Sequence, residues 1–223
     1  NLRNQQGAAS LGWRIPATSG GLTLTLNNAA PLRVASFHRT NMSATAQWKV
    51  TVFIAGIAVW SASGSSVVGG QTLAIGPKAA VGDSVRITLS DPDNTDGWLD
   101  IPLAYIGPLW QPVRNFSTQS TQGNELGQDV TTALGGAEFV NARWYQRTAS
   151  IAHQSLGDSD SAVIDEVLRV SVTGQNILFV PDPASDALSE KALFGRLQSS
   201  SELSNPFGVA DRHSITLKMT ERL

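Results

Sequence analysis

The sequence contains no cysteine among its 223 residues. Disulfide scaffolds, thiolate nucleophiles and cysteine-ligated zinc or iron–sulfur sites are therefore excluded. No apolar run approaches the roughly 20 residues that a membrane-spanning helix needs, and nothing resembles a secretory signal peptide. We therefore expect no insertion into a membrane.

Charged residues are also scarce, at 15% of the chain, with a formal net charge of -2. The basic residues are scattered singly, so the sequence shows no basic patch for a nucleic acid or an anionic membrane. The hydrophobic content of 41% allows a sizeable core. An independent soluble protein usually carries more surface charge. We therefore expect much of the surface to face other protein, and we expect no nucleic-acid partner.

Recognisable catalytic and cofactor motifs are missing as well. His38, His153 and His213 lie in three separate segments, none with a second metal ligand at i+2 to i+4. The sequence has neither a Gly-x-Ser-x-Gly nucleophile elbow nor a Gly-x-x-x-x-Gly-Lys phosphate loop. A lyase or hydrolase needs carboxylates or a base across a groove, whereas the acidic residues here cluster in turns. We expect no enzyme activity, no cofactor and no required metal, and a polysaccharide-degrading enzyme is only a third interpretation.

Alternating strands fill the first half of the chain. Residues 22–26 and 48–54 alternate apolar and polar side chains, and Ala55-Gly56 offers a hairpin turn into residues 57–60. Two further strands are predicted at 84–90 and 99–106. We therefore predict an antiparallel β-sandwich over residues 21–108, after an extended N-terminal arm of residues 1–20.

A proline-rich junction over residues 107–112 separates this half from a second predicted domain, residues 109–223. Weakly patterned strands are predicted at 113–120 and 127–134, and a clear terminal strand at 215–220. Residues 184–211 are rich in Ser, Asp and Glu and are predicted to form an exposed excursion, apart from a short apolar segment at 193–197.

One convincing helix is predicted, at about 159–173. Asp158, Ser159 and Asp160 are expected to cap its first turn, and Gly174 to end it. A stripe at helical spacing is formed by Val163, Ile164, Val167, Leu168 and Ser171. Because a lone helix cannot bury its apolar face unaided, it should lie across a sheet. The second domain is therefore predicted to be a β-sandwich or split barrel with one flanking α-helix.

The densest acidic cluster runs from Asp91 to Gly97 and makes Asp91, Asp93 and Asp96 weak candidates for calcium ligands. The spacing is not that of an EF-hand, because Gly97 falls one position late and Pro102 stands where the bidentate Glu should be. Asp, Asn, Pro and Gly are also the residues of an ordinary hairpin or Asx-type turn. We favour the turn.

Six tryptophans are the remaining candidates for function. Trp48 and Trp144 lie in alternating strands and are predicted to be core residues. Trp60 and Trp98 are predicted near loop ends, where a sandwich exposes its binding loops. A glycan or partner contact at these two residues is therefore conceivable, by stacking of a sugar ring on an indole.

Several short motifs, taken in order, resemble minor tail proteins of long-tailed bacteriophages. They are Trp110-Gln-Pro-Val-Arg-Asn115, the strand from Asp129 to Leu134-Gly-Gly136, Arg143, the helix, Leu178-Phe-Val-Pro-Asp-Pro183, Phe194-Gly-Arg-Leu197 and Thr220-Glu221. In the first half, Arg33-Val-Ala-Ser36, Ala46-Gln-Trp-Lys-Val50 and Asp93-Asn-Thr-Asp-Gly-Trp98 are similar to a discoidin-like or jelly-roll-like sandwich. The resemblance covers most of residues 21–223.

This resemblance implies a structural protein of the tail tip or baseplate, similar to distal tail proteins and located in the virion after assembly in the host cytoplasm. It implies a homo-oligomeric ring around the tail channel, in contact with the tail tube, the baseplate hub and fibres, with host-surface glycan as a possible further partner. No active-site residues are implied. The alternative is a non-catalytic carbohydrate-binding module with an oligomerisation domain.

Overall fold

The structure is a computed structural model, which describes residues 9–65, 69–205 and 212–222. The chain divides into two compact units, Asn1–Trp110 with Leu178–Ala192, and Gln111–Ile177 with Leu193–Leu223. No helix within the described ranges is long and apolar enough to cross a membrane.

The first unit is an antiparallel β-sandwich. Its strands are β1 (Trp13–Ile15), β2 (Ser19–Pro31), β3 (Val34–His38), β4 (Gln47–Ile54), β5 (Ile57–Ser65), β6 (Thr72–Ile75), β7 (Val81–Ser90), β8 (Leu99–Ile101) and β9 (Leu103–Gly107). They form a four-stranded sheet in the order β2-β7-β4-β5, a three-stranded sheet β6-β3-β9 and the pair β1-β8. The predicted sandwich and the mainly β fold class are confirmed.

Strand alternation places the core of this sandwich between its sheets. In β4, Trp48, Val50 and Val52 are buried, whereas Lys49 between them is exposed. Phe37 of β3 and Ile87 of β7 belong to the same cluster. The predicted β4–β5 hairpin is present, and its turn residues Ala55 and Gly56 both have positive φ, at 49° and 77°. Two such residues suit the right-handed twist of the flanking strands.

The prediction of an N-terminal arm is wrong for residues 9–20, while residues 1–8 lie outside the described residues. A 3-10 helix forms at Ala9–Leu11, and β1 pairs with β8 through Trp13 and Ile101. Ile15 is 9% exposed and belongs to the core. This segment is ordered because its apolar side chains complete the sandwich.

The chain returns to the first unit at residues 178–192, which the sequence assigned to the second domain. The short helix α2 (Leu188–Lys191) lies in this segment. Ala192 is buried with Val34 and Leu73, and Leu178, Val180 and Leu188 pack against that cluster. The Gln71 side-chain amide donates to the Ala192 carbonyl at 2.9 Å and also to the carbonyl of Ser189. Ser189 Oγ accepts the Leu73 N–H at 2.9 Å. Leu188, Ser189 and Ala192 therefore hold this part of the predicted excursion against the sandwich, whereas Ala184, Asp186, Glu190 and Lys191 are exposed.

The second unit contains one antiparallel sheet and one long helix. Its elements are β10 (Thr121–Thr132), β11 (Glu138–Leu156), α1 (Asp158–Val172), β13 (Leu193–Ser200) and β14 (His213–Glu221), and its sheet includes β12 (Ile177–Phe179), whose last two residues belong to the first unit. The sheet order is β10-β11-β14-β13-β12. The predicted terminal strand is present as β14, with Ile215, Leu217 and Met219 buried and Lys218 exposed.

Two strand predictions in this unit are wrong. Residues 113–120 form no strand, and β10 begins at Thr121 rather than Gly127. Residues 193–200 form β13, which pairs with β14 inside the sheet. The apolar residues Leu193, Phe194 and Leu197 do not alternate with polar ones, and Leu193 and Phe194 are both buried, so the sequence shows no strand period here. Residues 206–211 of the predicted excursion lie outside the described residues.

Helix α1 is confirmed, but its first turn is held differently from the prediction. Ile164 is 2% exposed, and the rest of the predicted stripe is half-buried. Gly157 occupies the N-cap position, and no side chain caps the helix. Instead Asp158 bonds His213 of β14 at 2.7 Å, and the Asp160 carboxylate accepts the Val113 N–H at 3.1 Å. The acidic residues thus join the helix to neighbouring segments. Gly174, with φ of 81°, follows the C-terminus as expected.

Candidate interaction sites

A two-stranded ribbon extends from the sheet of the second unit. β11 is 19 residues long, but its pairing with β14 begins only at Thr148. Residues 138–147 therefore pair only with β10, on one side. We call residues 124–147 the arm. A two-stranded hairpin is marginally stable in water by itself, so the arm depends on contacts beyond its own ladder.

The arm concentrates exposed apolar side chains. They are Leu126, Val130, Leu134, Phe139, Val140, Trp144 and Tyr145. Phe139 is 64% exposed and Val140 58%. Contiguous exposed apolar surface in a folded protein commonly marks a protein–protein contact. The arm is therefore the strongest candidate for an interaction site.

Cross-strand register assigns each side chain to one of two faces. One face, which we call the apolar face, consists of five rows: Asn124 with Arg147, Leu126 with Tyr145, Gln128 with Ala142, Val130 with Val140, and Thr132 with Glu138. The opposite face carries Glu125, Asp129, Phe139 and Trp144. The register shifts between Gly127 and Gln128, so Arg143 is the extra residue of a β-bulge.

The prediction that Trp144 is a core residue is wrong. The spacing predicts one face for Val140, Ala142 and Trp144, but the β-bulge at Arg143 places Trp144 on the opposite face, and all three are exposed, Trp144 at 42%. Among the described residues no second layer covers the arm, and the indole rests on Gly127 of the neighbouring strand. Trp48, the other tryptophan predicted in the core, is buried at 7% exposure.

Polar bonds stiffen the arm and fix its base. Arg143 Nε donates to Asp129 at 2.6 Å, and the Tyr145 hydroxyl donates to Asn124 at 2.7 Å. At the base, Arg147 Nε donates to the Glu221 carboxylate at 2.9 Å, and the Gln146 amide donates to the Glu221 carbonyl at 2.6 Å. The arm therefore presents its side chains from a braced ribbon. The sequence signal for it was the strand pattern itself, which does not reveal how far a strand extends beyond its sheet.

The three candidate calcium ligands are engaged by residues 41–45. Asp91 is fully buried and accepts from the Ser43 N–H at 2.7 Å and its hydroxyl at 2.6 Å. The Thr45 hydroxyl donates to Asp93 at 2.7 Å, and the Asn41 amide donates to Asp96 at 2.9 Å. These bonds close a turn that connects β7 to β8, which belong to different sheets. Among the residues that the structure describes, no group of three or more His, Cys, Asp or Glu could hold a metal ion.

The two candidate tryptophans lie in different settings. Trp98 is 41% exposed beside the acidic turn, and the Arg14 guanidinium lies 5.5 Å from its ring centre. Arg14 also forms a 2.7 Å ion pair with the buried Asp100. Trp60 lies in the middle of β5, half-buried against the sandwich core, with its ring over Gly76. Trp98 is thus the better placed of the two for a ligand.

The histidines occupy structural positions. His38 is buried and bonds Ser36 at 3.0 Å, and His213 bonds Asp158 as described above. His153 is 7% exposed, and its Nδ1 atom has no hydrogen-bond partner. Burial lowers the pKa of His153, and the nearby Asp160 carboxylate opposes this shift only in part. His153 is therefore a buried group of the second unit.

Comparison with known proteins gives little more. No protein-family model matches the sequence, and no curated protein matches it. A fucose-binding module of Streptococcus pneumoniae, SpX-3, is similar in structure with a TM-score of 0.37 and 11% sequence identity. The similarity covers 48% of this chain and 80% of the module. A likeness at this TM-score assigns no ligand to the chain.

Proposed function

We propose that this protein is a non-catalytic structural subunit of the tail tip or baseplate of a long-tailed bacteriophage. The arm carries the proposal, because it exposes apolar side chains on both faces, and contiguous exposed apolar surface commonly marks a protein–protein contact. An element of this kind serves assembly. The low proportion of charged residues agrees with a surface that is largely covered by other protein.

The phage assignment comes from the ordered motifs in the sequence. In that setting the chain would form part of an oligomeric ring around the tail channel and contact tail-tube, hub or fibre proteins. Its location would be the virion, after assembly in the host cytoplasm. The first unit would supply a second surface for fibres, neighbouring proteins or host glycan.

A shortened arm tests this function. Replacing residues 126–145 by Asn-Gly joins the cross-strand partners Glu125 and Gln146 through a two-residue turn that suits a β-hairpin. We expect this variant to fold, as judged by circular dichroism and melting temperature, but to be missing from purified virions by mass spectrometry. The matched control Trp98→Ala, in the other unit, should enter virions normally. Normal entry of the shortened variant, or absence of the wild-type chain from virions, would refute the proposal.

A second candidate function rests on the surroundings of Trp98. The exposed indole offers an apolar face for a sugar ring, and the neighbouring Arg14, whose side chain is 54% exposed, offers hydrogen-bond donors. The free binding-module alternative therefore predicts glycan affinity that Trp98→Ala abolishes and that the shortened arm leaves unchanged. Glycan-array binding and calorimetry on the same two variants separate the candidates.

A further inference from the structure

We infer that the apolar face of the arm binds the apolar face of a second copy of this chain, with the two arms antiparallel about a two-fold axis. This inference deepens the proposed function and rests on the arm's role in assembly, because it names a partner of that surface; a two-fold contact closes on two copies, so other surfaces would form the ring. The reason lies in the order of the five rows. When one arm is turned end to end against the other, each row faces a row that complements it in size or in charge.

The central row is the pair Gln128 and Ala142. Along β10 it lies two residues from each neighbouring row, whereas along β11 Ala142 lies two residues from Val140 and, across the bulge, three from Tyr145. When the two-fold axis passes through this row, Gln128 and Ala142 of one chain lie against the same row of the second chain. The small Ala142 side chain allows the two ribbons to approach there, and the two Gln128 amides can bond each other across the axis, since an amide both donates and accepts. A contact of this isologous kind is typical of homodimers.

The rows on either side of the centre differ in size. Leu126 and Tyr145 form a large row towards the base of the arm, whereas Val130 and Val140 form a smaller row towards its tip. In the antiparallel arrangement, the large row of each copy faces the smaller row of the other, on both sides of the centre. This alternation is what allows side chains of two facing sheets to interdigitate.

The outermost rows differ in charge. The tip row carries exposed Glu138, and the base row carries Arg147. Reversal of one arm brings the acidic tip of each copy to the arginine at the base of the other. Arg147 is already bonded to Glu221, and its side chain is still 24% exposed, so the incoming Glu138 would join an existing ion pair. Parallel arms would instead bring the two tip rows together and crowd both Glu138 side chains at the same end of the contact.

The opposite face lacks this self-complementarity. A two-fold axis through the Gly127 and Trp144 row would bring Glu125 of each copy to Asp129 of the other, because these acids lie two positions on either side of Gly127. Asp129 is also committed to Arg143. The apolar face is therefore the one that a second copy covers.

The size of the face predicts a weak dimer. Nine residues at about 3.3 Å each give a length of roughly 30 Å, and two strands are about 10 Å wide, so each face offers about 300 Å². Two faces together bury roughly 600 Å², below the approximately 1,200 Å² of stable specific interfaces. Free chains should therefore associate reversibly, and multiple contacts in an assembly would strengthen the pairing.

Sedimentation velocity over a concentration series, with Glu138→Lys and Glu125→Lys, tests the pairing. Both substitutions change the net charge equally and lie on exposed positions of the same arm, on opposite faces. We expect the wild-type chain to dimerise reversibly, Glu138→Lys to weaken dimerisation by about tenfold or more, and Glu125→Lys to change it by less than about twofold. Equal effects of the two variants, or a monomer at every accessible concentration, would overturn the inference.

Chemical crosslinking gives a second readout. Because the chain has no native cysteine, only the introduced thiol can react. Gln128→Cys on the central row should be joined to a second copy by a short bismaleimide, whereas Thr131→Cys on the opposite face should not. Crosslinking of both, or of neither, contradicts the inferred pairing. If the chain is monomeric but present in virions, the pairing is refuted and the proposed function is not. If the chain dimerises through the arm but is absent from virions, the proposed function is refuted and the pairing is not.

Discussion

The indole of Trp144 occupies the space above Gly127, its cross-strand neighbour, where a Cβ atom would collide with the ring. Gly127→Ala should therefore displace the indole and loosen the arm. Overpacking of this type costs about 1–3 kcal/mol. Amide hydrogen exchange across residues 124–147 should accelerate. Gly123→Ala is the control, since a Cβ there meets only the Thr148 hydroxyl at 3.3 Å, and unchanged exchange in both variants would contradict the packing described.

Acid should destabilise the second unit through His153. Burial holds the pKa of this imidazole below its ordinary value of 6.5, so below that pH the unfolded chain takes up a proton that the folded chain resists. The contribution of neutral His153 to the free energy of unfolding should therefore be fully present above pH 6.5, and it should be lost as the pH drops towards the pKa of the folded state. His153→Phe should show a smaller loss between pH 7 and 5 in denaturant titrations. Parallel pH profiles for the two proteins would contradict this prediction.

Two substitutions to alanine in helix α1, one at a buried and one at an exposed position, test which face the helix buries. Ile164 is 2% exposed, so Ile164→Ala should cost about 2–5 kcal/mol through lost burial and a cavity. Val172, in the last turn, is 86% exposed, and Val172→Ala should cost less than about 0.5 kcal/mol. Chemical denaturation measures both. Similar losses would mean that the helix does not bury the face on which Ile164 lies.

Gln71 holds the returning segment 178–192 against the sandwich. Gln71→Leu would leave the Ser189 and Ala192 carbonyls without this donor, which should cost about 1–3 kcal/mol. Gln47→Leu is the control, because the Gln47 amide bonds only the carbonyl of Thr45 at an exposed position. Thermal unfolding and limited proteolysis near residues 184–188 measure the effect. Equal melting temperatures would show that the amide does not hold the segment.

Patterns within one element were predictable from the sequence. The stripe around Ile164 identified α1, and Ala55-Gly56 between two alternating runs identified the β4–β5 hairpin. Both signals are local, because side-chain periodicity and turn conformation depend on adjacent residues.

What covers an element was not predictable. Val140 and Ala142 alternate with polar residues as in a half-buried strand, but alternation shows neither the bulge that turns Trp144 to the other face nor whether a second layer covers either face. Asp158 and Asp160 bond His213 and Val113 instead of capping the helix. These bonds were not predictable either, because their partners are distant in sequence. The candidate acids Asp91, Asp93 and Asp96 were correctly placed in a turn, but their bonds to residues 41–45 had no signal in the sequence.

The return of residues 178–192 to the sandwich has a consequence for biosynthesis. A ribosome completes β1 to β9 long before it reaches Ala192, so the nascent sandwich holds Val34 and Leu73 without the segment that buries them. Domains generally fold as units during synthesis, the N-terminal one first. Here the first unit to be translated cannot finish folding until most of the second has been made. Translation rate through residues 111–177 thus sets how long that apolar surface is exposed to chaperones and to other nascent chains.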